Sequence, residues 1–187
     1  MSSDALVLDL TFRDVKEESD LLQCMEEQIR AKEQNPTDSP TKKYKKDEVK
    51  AVKLGNNSIS DSNIICNPII SIMNPARIIW LDLSFNSLSS VNVNLAEAFP
   101  NLTTLYLHAN QITKLSELRK LSQFPNLRSV SFYGNPVEEN KHYRNMALFC
   151  CPGLVQLDFS TVTASQRDKM QTWTAIYHKK LFPEEDP

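Results

Sequence analysis

The amino-acid sequence predicts an α/β solenoid, with parallel strands on a concave side and helical or irregular segments on a convex side. Three observations support this fold class. The 187 residues, of which 41% are hydrophobic, are enough for one compact domain with tails. One pattern of apolar residues recurs along the chain at a nearly constant interval. Within the repeats, alternating apolar residues typical of a strand precede residues with the spacing of a helix.

Four segments share the pattern LxxLxLxxNxL, with apolar residues at the L positions. They are residues 49–59, 78–88, 102–112 and 127–137. The spacing between their asparagines (Asn57, Asn86, Asn110 and Asn135) is 29, 24 and 25 residues, which is typical of leucine-rich repeats. Residues 154–162 form a fifth, degenerate unit, in which Phe159 takes an interior position and Val162 replaces the asparagine.

The repeated leucines and asparagines have different physical roles. Side chains of a strand alternate between its two faces, so the apolar positions point into the interior. After each strand the chain turns, and its backbone groups lose their sheet partners. A buried asparagine can satisfy these groups because its amide both donates and accepts hydrogen bonds. The sequence therefore predicts a ladder of buried asparagines.

The segments between the strands and at the C-terminus predict helical turns. Leu115, Leu118 and Leu121 recur every three residues, as in a convex helical or 3₁₀ segment. Both ends of a solenoid need caps, because they would otherwise expose an apolar edge. The capping box of residues 163–166 opens a helix with Trp173 on its apolar face, which predicts a C-terminal cap helix.

The chain divides into three predicted parts. Residues 1–48 are an N-terminal segment with a charged helix and a linker, residues 49–162 are the repeats, and residues 163–187 are the capping helix and tail. In the first part, Leu22 and Met25 have helical spacing. This helix either caps the first repeat or reaches a partner, and the sequence leaves both possibilities open.

Composition argues against several partner classes. With 21 Lys+Arg and 23 Asp+Glu, the formal charge of -2 gives no positive field to attract nucleic acid. No apolar run is long enough for a membrane span, and the start lacks the basic region of a signal peptide, so we expect a cytoplasmic protein. The cysteines form no CxxC motif, which predicts buried reduced thiols rather than disulfides, metal ligands or a nucleophile. They are Cys24, Cys66, Cys150 and Cys151.

The sequence contains no recognisable catalytic, cofactor-binding or metal-binding motif. The three histidines (His108, His142 and His178) lack metal-ligand spacing, and the three glycines cannot form a phosphate-binding loop. Asp82 and Asp158 fall on strands three apart, and at a separation of roughly 14 Å they are too distant to act as paired carboxylates. We therefore expect a non-enzymatic protein without cofactor or metal.

The outward strand positions predict a binding surface for a protein partner. Trp80, Tyr106 and Tyr133 lie at these positions, and aromatic side chains are enriched at binding hot spots. In the alternative interpretation, Trp80 only packs over a neighbouring strand or under the N-terminal segment. The candidate partner-binding residues on the concave face are Lys53, Trp80, Asp82, Tyr106, His108, Ser131, Tyr133 and Asp158.

The repeats, with the terminal run from Asn135-Pro136 through Tyr143-Arg144 to Leu157-Asp158, resemble the short, capped leucine-rich-repeat proteins. These include the phosphatase regulator SDS-twenty-two, axonemal dynein light chain 1 and the spliceosomal A-prime protein. Residues 80–86, 105–110, 134–136 and 158–163 are most similar to the family of leucine-rich repeat-containing protein 51. The resemblance implies an intracellular, non-enzymatic adaptor. Its expected setting is the cilium or axoneme, with an axonemal or microtubule-associated partner. A ribonucleoprotein-associated adaptor and a phosphatase regulator are the alternatives that it implies.

Overall fold

The computed structural model describes residues 6–34 and 48–181, and this part of the chain contains one seven-stranded sheet in sequence order. The first six strands are parallel to their neighbours, and the seventh is antiparallel to the sixth. The strands are β1 (Leu6–Asp9), β2 (Val49–Lys53), β3 (Trp80–Asp82), β4 (Thr104–Tyr106), β5 (Ser129–Ser131), β6 (Gln156–Leu157) and β7 (Ser160–Thr161).

Helical segments connect the strands and form the convex side. The α-helices are α1 (Glu18–Gln34), α2 (Cys66–Ile72), α3 (Asn94–Ala98), α4 (Tyr143–Cys150) and α5 (Ala164–Leu181). The 3₁₀ segments are Ser62–Ile65, Pro75–Arg77, Leu115–Gln123 and Pro136–Glu139. The predicted α/β leucine-rich-repeat solenoid is confirmed. None of these helices is apolar over enough of its length to cross a membrane.

The core is a stack of apolar side chains that repeats from strand to strand. Leu81 is paired in register with Leu105, and both are fully buried. Their strand neighbours on either side point to solvent at least in part. This alternation follows from strand geometry and separates an interior face from an open face. The other buried members of this row are Leu8, Val52, Val130 and Leu157.

The sheet begins earlier than the predicted boundary at residue 49. Strand β1 pairs in parallel with β2, and Leu8 and Leu10 are fully buried at interior positions. Arg13 occupies the position that the asparagine takes in later units. Asn57 of the next unit makes the usual ladder bonds to this turn, and its Oδ1 also accepts from the backbone N–H of Arg13 at 3.0 Å. A search for the asparagine pattern therefore missed this unit.

The N-terminal helix α1 is the convex segment of this first unit. Leu21 and Met25 are fully buried against the core, whereas Leu22, which the sequence placed on the apolar face, is only half-buried. The side chain of Gln28 donates to the carbonyl of Asp9 in β1. Of the two roles that the sequence left open, the described part of the helix fills that of a cap. The predicted linker at residues 35–47 lies outside the described residues.

The asparagine ladder forms as predicted. In Asn110, Oδ1 accepts from the backbone N–H of Leu88 at 2.9 Å, and Nδ2 donates to the carbonyl of Leu83 at 2.9 Å. The same amide also donates to the carbonyl of Leu107 in its own turn. Each amide thus links its turn to the preceding unit. Asn57, Asn86 and Asn135 make the equivalent bonds.

Replacing Asn110 with Ala should lower the free energy of unfolding by about 1–3 kcal/mol, because buried backbone groups lose their partners. Asn86→Ala should have a similar effect. Asn126→Ala is the matched control, since its exposed side chain makes one hydrogen bond, to the carbonyl of Pro100, and should cost less than about 0.5 kcal/mol. Urea titration followed by circular dichroism measures all three variants. Equal stability of the Asn110 and Asn126 variants would contradict the ladder.

The C-terminal end of the solenoid is closed by α5. The capping box is present, since the backbone N–H of Thr163 donates to Oε1 of Gln166 and the N–H of Gln166 donates to Oγ1 of Thr163. Trp173 is buried, and its indole N–H donates to Nδ1 of His142 at 2.9 Å. The guanidinium of Arg167 donates to carbonyls at the start of the last unit. The predicted cap helix is therefore joined to the repeats by both apolar and polar contacts.

Candidate protein interaction face

The concave face consists of the outward side chains of β2–β5 and of the turns that follow these strands. The register brings one row of candidates together, because Lys53 pairs with Asp82, Asp82 with Tyr106, and Tyr106 with Ser131. Asp9 of β1 continues the row beyond Lys53. The predicted candidates therefore share one surface instead of being scattered over the fold.

Aromatic rings gather at the centre of this surface. Tyr106 contacts the ring of Trp80 edge to face, with centroids 5.8 Å apart. The ring centroid of His108 lies 5.9 Å from that of Tyr106 and 5.4 Å from that of Phe85. Phe159 completes the group at 5.3 Å from Tyr106 and 5.2 Å from His108. We call these five residues the concave aromatic cluster.

Trp80 lies at one end of the cluster, beside a cation. Its ring is partly exposed, and Nζ of Lys53 lies 5.3 Å from the ring centroid. The same ammonium is 3.9 Å from Oδ2 of Asp9. The indole N–H is buried and finds no acceptor among the described residues. Trp80 thus rests on the neighbouring strand, as the alternative interpretation expected, and also keeps part of its ring at the surface.

The prediction that Phe159 is an interior residue was wrong. Its side chain is 50% exposed and packs onto the outer side of the sheet, against Tyr106 and His108. The reason is the shortness of β6, after which Asp158 and Phe159 take left-handed backbone conformations with φ of 51° and 61°. The chain then reverses into β7, antiparallel to β6. This reversal carries Phe159 onto the concave face.

Ser131 and Tyr133 have very different environments. Ser131 is fully buried although it stands at an outward position, and its Oγ has no hydrogen-bond partner within the described chain. Tyr133 follows the same strand and is 60% exposed. Of these two candidates, only Tyr133 is accessible to a partner from solvent.

Asp158, a predicted partner-binding residue, has its carboxylate engaged within the fold. Oδ1 accepts from the backbone N–H groups of Phe132 at 2.8 Å and Tyr133 at 3.0 Å. Oδ2 accepts from the hydroxyl of Tyr143 at 2.8 Å. In earlier units the backbone N–H at the position of Phe132 donates to a carbonyl of the next strand, whereas here it donates to the side chain of Asp158, just past the end of β6. We therefore assign Asp158 a structural role.

The other acidic candidate, Asp82, is more available. Its Oδ1 accepts from the backbone N–H of Ser84, and no described cation lies within ion-pair distance of its carboxylate. Burial lowers the pKa of His108, while the charges of Asp82 and Asp158 act in the opposite direction. His108 is therefore neutral near pH 7, and the centre of the face carries carboxylates without a matching imidazolium.

The side chains of the described residues do not suggest a catalytic site. Burial raises the pKa of the thiols of Cys66 and Cys151, which disfavours the reactive thiolate. All four cysteines are in the reduced state. Over the two described ranges, no three His, Cys, Asp or Glu side chains are grouped to hold a metal ion. The concave face presents aromatic rings and carboxylates, which can make apolar contacts and hydrogen bonds.

Comparisons with known proteins agree with this architecture. A leucine-rich repeat family model matches residues 42–180. Leucine-rich repeat-containing protein 51 of Bos taurus is 40% identical over 121 residues, which are 64% of this chain and 62% of the bovine protein. Its Mus musculus counterpart is 39% identical over 137 residues, which are 71% of this chain and 70% of the mouse protein. The match thus spans less than two thirds of the bovine relative.

A solved structure has the same fold. It is a chain of the Drosophila melanogaster SNF/U2A' complex, which superimposes with a TM-score of 0.67. The match covers 96% of this chain and 87% of that chain, at 22% sequence identity. At this identity the likeness concerns the fold alone.

Proposed function

Because the chain belongs to the leucine-rich repeat family, and within it to the group of leucine-rich repeat-containing protein 51, we propose that it is a non-enzymatic adaptor that binds a protein partner on its concave face. The observation that carries this proposal is the concave aromatic cluster. Its rings lie outside the interior stack, yet they are held in place by contacts across three repeat units.

The distribution of exposed apolar side chains favours the concave side over the convex side. Phe85, Tyr133 and Phe159 are all at least half exposed, and each stands at the end of a strand that borders the cluster. Aromatic rings contribute large contact areas and lose little conformational entropy on binding. Ile70 on α2 and Ile176 on α5 are also exposed, but exposed aliphatic residues of this kind are found on any protein surface.

We place this interaction in the cytoplasm, with the cilium as the candidate setting and an axonemal or microtubule-associated protein as the candidate partner. This proposal follows from the family resemblance. A ribonucleoprotein-associated adaptor and a phosphatase regulator remain the competing functions. Affinity purification from ciliated cells distinguishes the three functions. It would recover axonemal proteins for the ciliary adaptor, splicing components for the ribonucleoprotein adaptor, and a phosphatase catalytic subunit for the phosphatase regulator.

Trp80→Ala and Tyr106→Ala should each weaken partner binding by at least about 1–2 kcal/mol, because each removes a ring from the centre of the contact surface. Thermal unfolding should change much less, since neither ring belongs to the interior stack. Quantitative capture of the partner from ciliated cells, combined with thermal melts of the purified variants, measures both effects.

Ile70→Ala and Ile176→Ala are the matched controls, because they remove exposed apolar side chains from the convex side and from the cap helix. Both should leave capture unchanged. Loss of stability in parallel with loss of capture in the Trp80 and Tyr106 variants would instead assign these rings to packing. Normal capture by both variants would overturn the concave-face proposal.

A further inference from the structure

We infer that the concave aromatic cluster, together with Asp82, recognises an arginine side chain of the protein partner. This inference rests on the proposed function and specifies the chemistry of the partner at that same surface. The observations that support it are the charge of the face, an internal cation bound to the cluster, and buried polar atoms beside the cluster that have no partner.

The concave face carries negative charge that a cationic group of the partner could neutralise. Lys53, the basic candidate on this face, has its ammonium 3.9 Å from Oδ2 of Asp9, so part of its charge is compensated within the row. Asp82, the next residue in that row, has no ion-pair partner in the described chain and stands directly beside Tyr106. His108, which is close enough to feel the charge of Asp82, is neutral near pH 7. A cationic group of the partner would complement the unpaired carboxylate.

The fold already contains one cation held against this cluster. Nζ of Lys53 lies 5.3 Å from the ring centroid of Trp80, within the distance at which an aromatic face attracts a cation. The rings of Tyr106 and Phe85, which both contact His108, offer further aromatic surface. Asp82 is the neighbour of Tyr106 in the adjacent strand. A second cation seated there would have both a carboxylate and aromatic faces as neighbours.

Unpartnered polar atoms point to a ligand that forms hydrogen bonds. Nδ1 of His108 and Oγ of Ser131 are buried and have no partner within the described chain, and both lie beside Tyr106. Ser131 is fully buried, so a missing hydrogen bond there is costly. A neutral imidazole nitrogen and a hydroxyl can both accept from a donor, as can the carboxylate of Asp82.

Arginine fits these groups better than lysine. Its guanidinium is planar, stacks on aromatic rings, and carries five N–H donors in a fixed arrangement. The face presents aromatic rings beside the carboxylate of Asp82, so a guanidinium can stack on the rings while its fork of donors contacts the carboxylate. An ammonium is a compact point charge that is more strongly hydrated, so it would gain less from the rings.

The inference can be tested with N-acetyl-arginine amide as the probe and N-acetyl-citrulline amide as its neutral isostere. Titration of the full chain, followed by NMR of the side chains of His108 and Trp80, should show saturable shifts with the arginine probe and none with the citrulline probe. Asp82→Asn should weaken arginine binding by at least about fivefold, because it removes the charge that pairs with the guanidinium.

Asp168→Asn is the matched control, since it removes an exposed carboxylate from α5 and should leave the dissociation constant unchanged. Equal shifts with arginine and citrulline, or an Asp82→Asn variant that binds arginine normally, would overturn the inference. In that case, loss of partner capture in Trp80→Ala would show that the proposed function still holds. Stronger binding of N-acetyl-lysine amide would replace arginine with lysine and likewise overturn the inference as stated.

Discussion

Deletion of residues 152–187 is expected to abolish the cooperative unfolding transition of the remaining chain. It removes β6, β7 and α5, and so uncovers Val130 and Phe132, which are fully buried in the intact protein. It also removes the indole of Trp173, which packs beside α4 and donates to His142. The stability of a solenoid depends on interfaces between neighbouring units, so an uncapped apolar edge favours aggregation over folding.

Circular dichroism melts and size-exclusion chromatography measure this effect. We expect a broad, non-cooperative melt and soluble aggregates from the truncated chain. Removal of residues 182–187 alone is the control and should leave the melting temperature unchanged. A truncated chain lacking residues 152–187 that stayed monomeric with an intact melting temperature would show that α5 does not cap the fold.

Asp158→Ala is expected to lower the free energy of unfolding by about 2–4 kcal/mol, because three donors lose a charged acceptor at once. Two are the backbone N–H groups of Phe132 and Tyr133, and the third is the hydroxyl of Tyr143. Burial and the neighbouring carboxylate raise the pKa of Tyr143 far above its ordinary value, so this hydroxyl stays protonated and needs an acceptor.

Chemical denaturation of Asp158→Ala and of three comparison variants measures the contribution of this carboxylate to stability. Asp158→Asn keeps an acceptor oxygen and should lose less stability than Asp158→Ala. Tyr143→Phe removes one of the three donors and should cost about 1 kcal/mol. Asp168→Ala, on the exposed side of α5, should cost less than about 0.5 kcal/mol. If Asp158→Ala were as stable as Asp168→Ala, the carboxylate of Asp158 would not have the structural role assigned to it.

The repeats were predictable because their residues are tied to the periodicity of the fold. Asn86 and Asn110 recur at a fixed place after each strand, and their hydrogen-bonding role follows from the chemistry of the amide group. The rows of interior side chains were also predictable, because side chains of a strand alternate between its two faces. The concave positions of Lys53, Trp80 and Tyr106 could be assigned in advance, since they stand at the alternate positions of regular strands.

The two ends of the solenoid were harder to predict because they break the pattern. The first unit has Arg13 in place of the asparagine, so its strand was assigned to an N-terminal segment. At the other end, two consecutive left-handed residues reverse the chain and move Phe159 from the interior to the concave face. Neither Asp158 nor Phe159 is a glycine, so the residue types at these positions did not indicate a left-handed turn.

The concave-face account is tested most directly by site-specific photo-crosslinking in ciliated cells. Benzoylphenylalanine in place of Tyr133, an exposed residue beside the concave aromatic cluster, should crosslink to the protein that the intact chain captures. The same group in place of Ile70 or Ile176, which are exposed on α2 and α5, should not form this product. Crosslinking from either of those two positions, with none from position 133, would contradict the assignment of the concave face as the partner-binding surface.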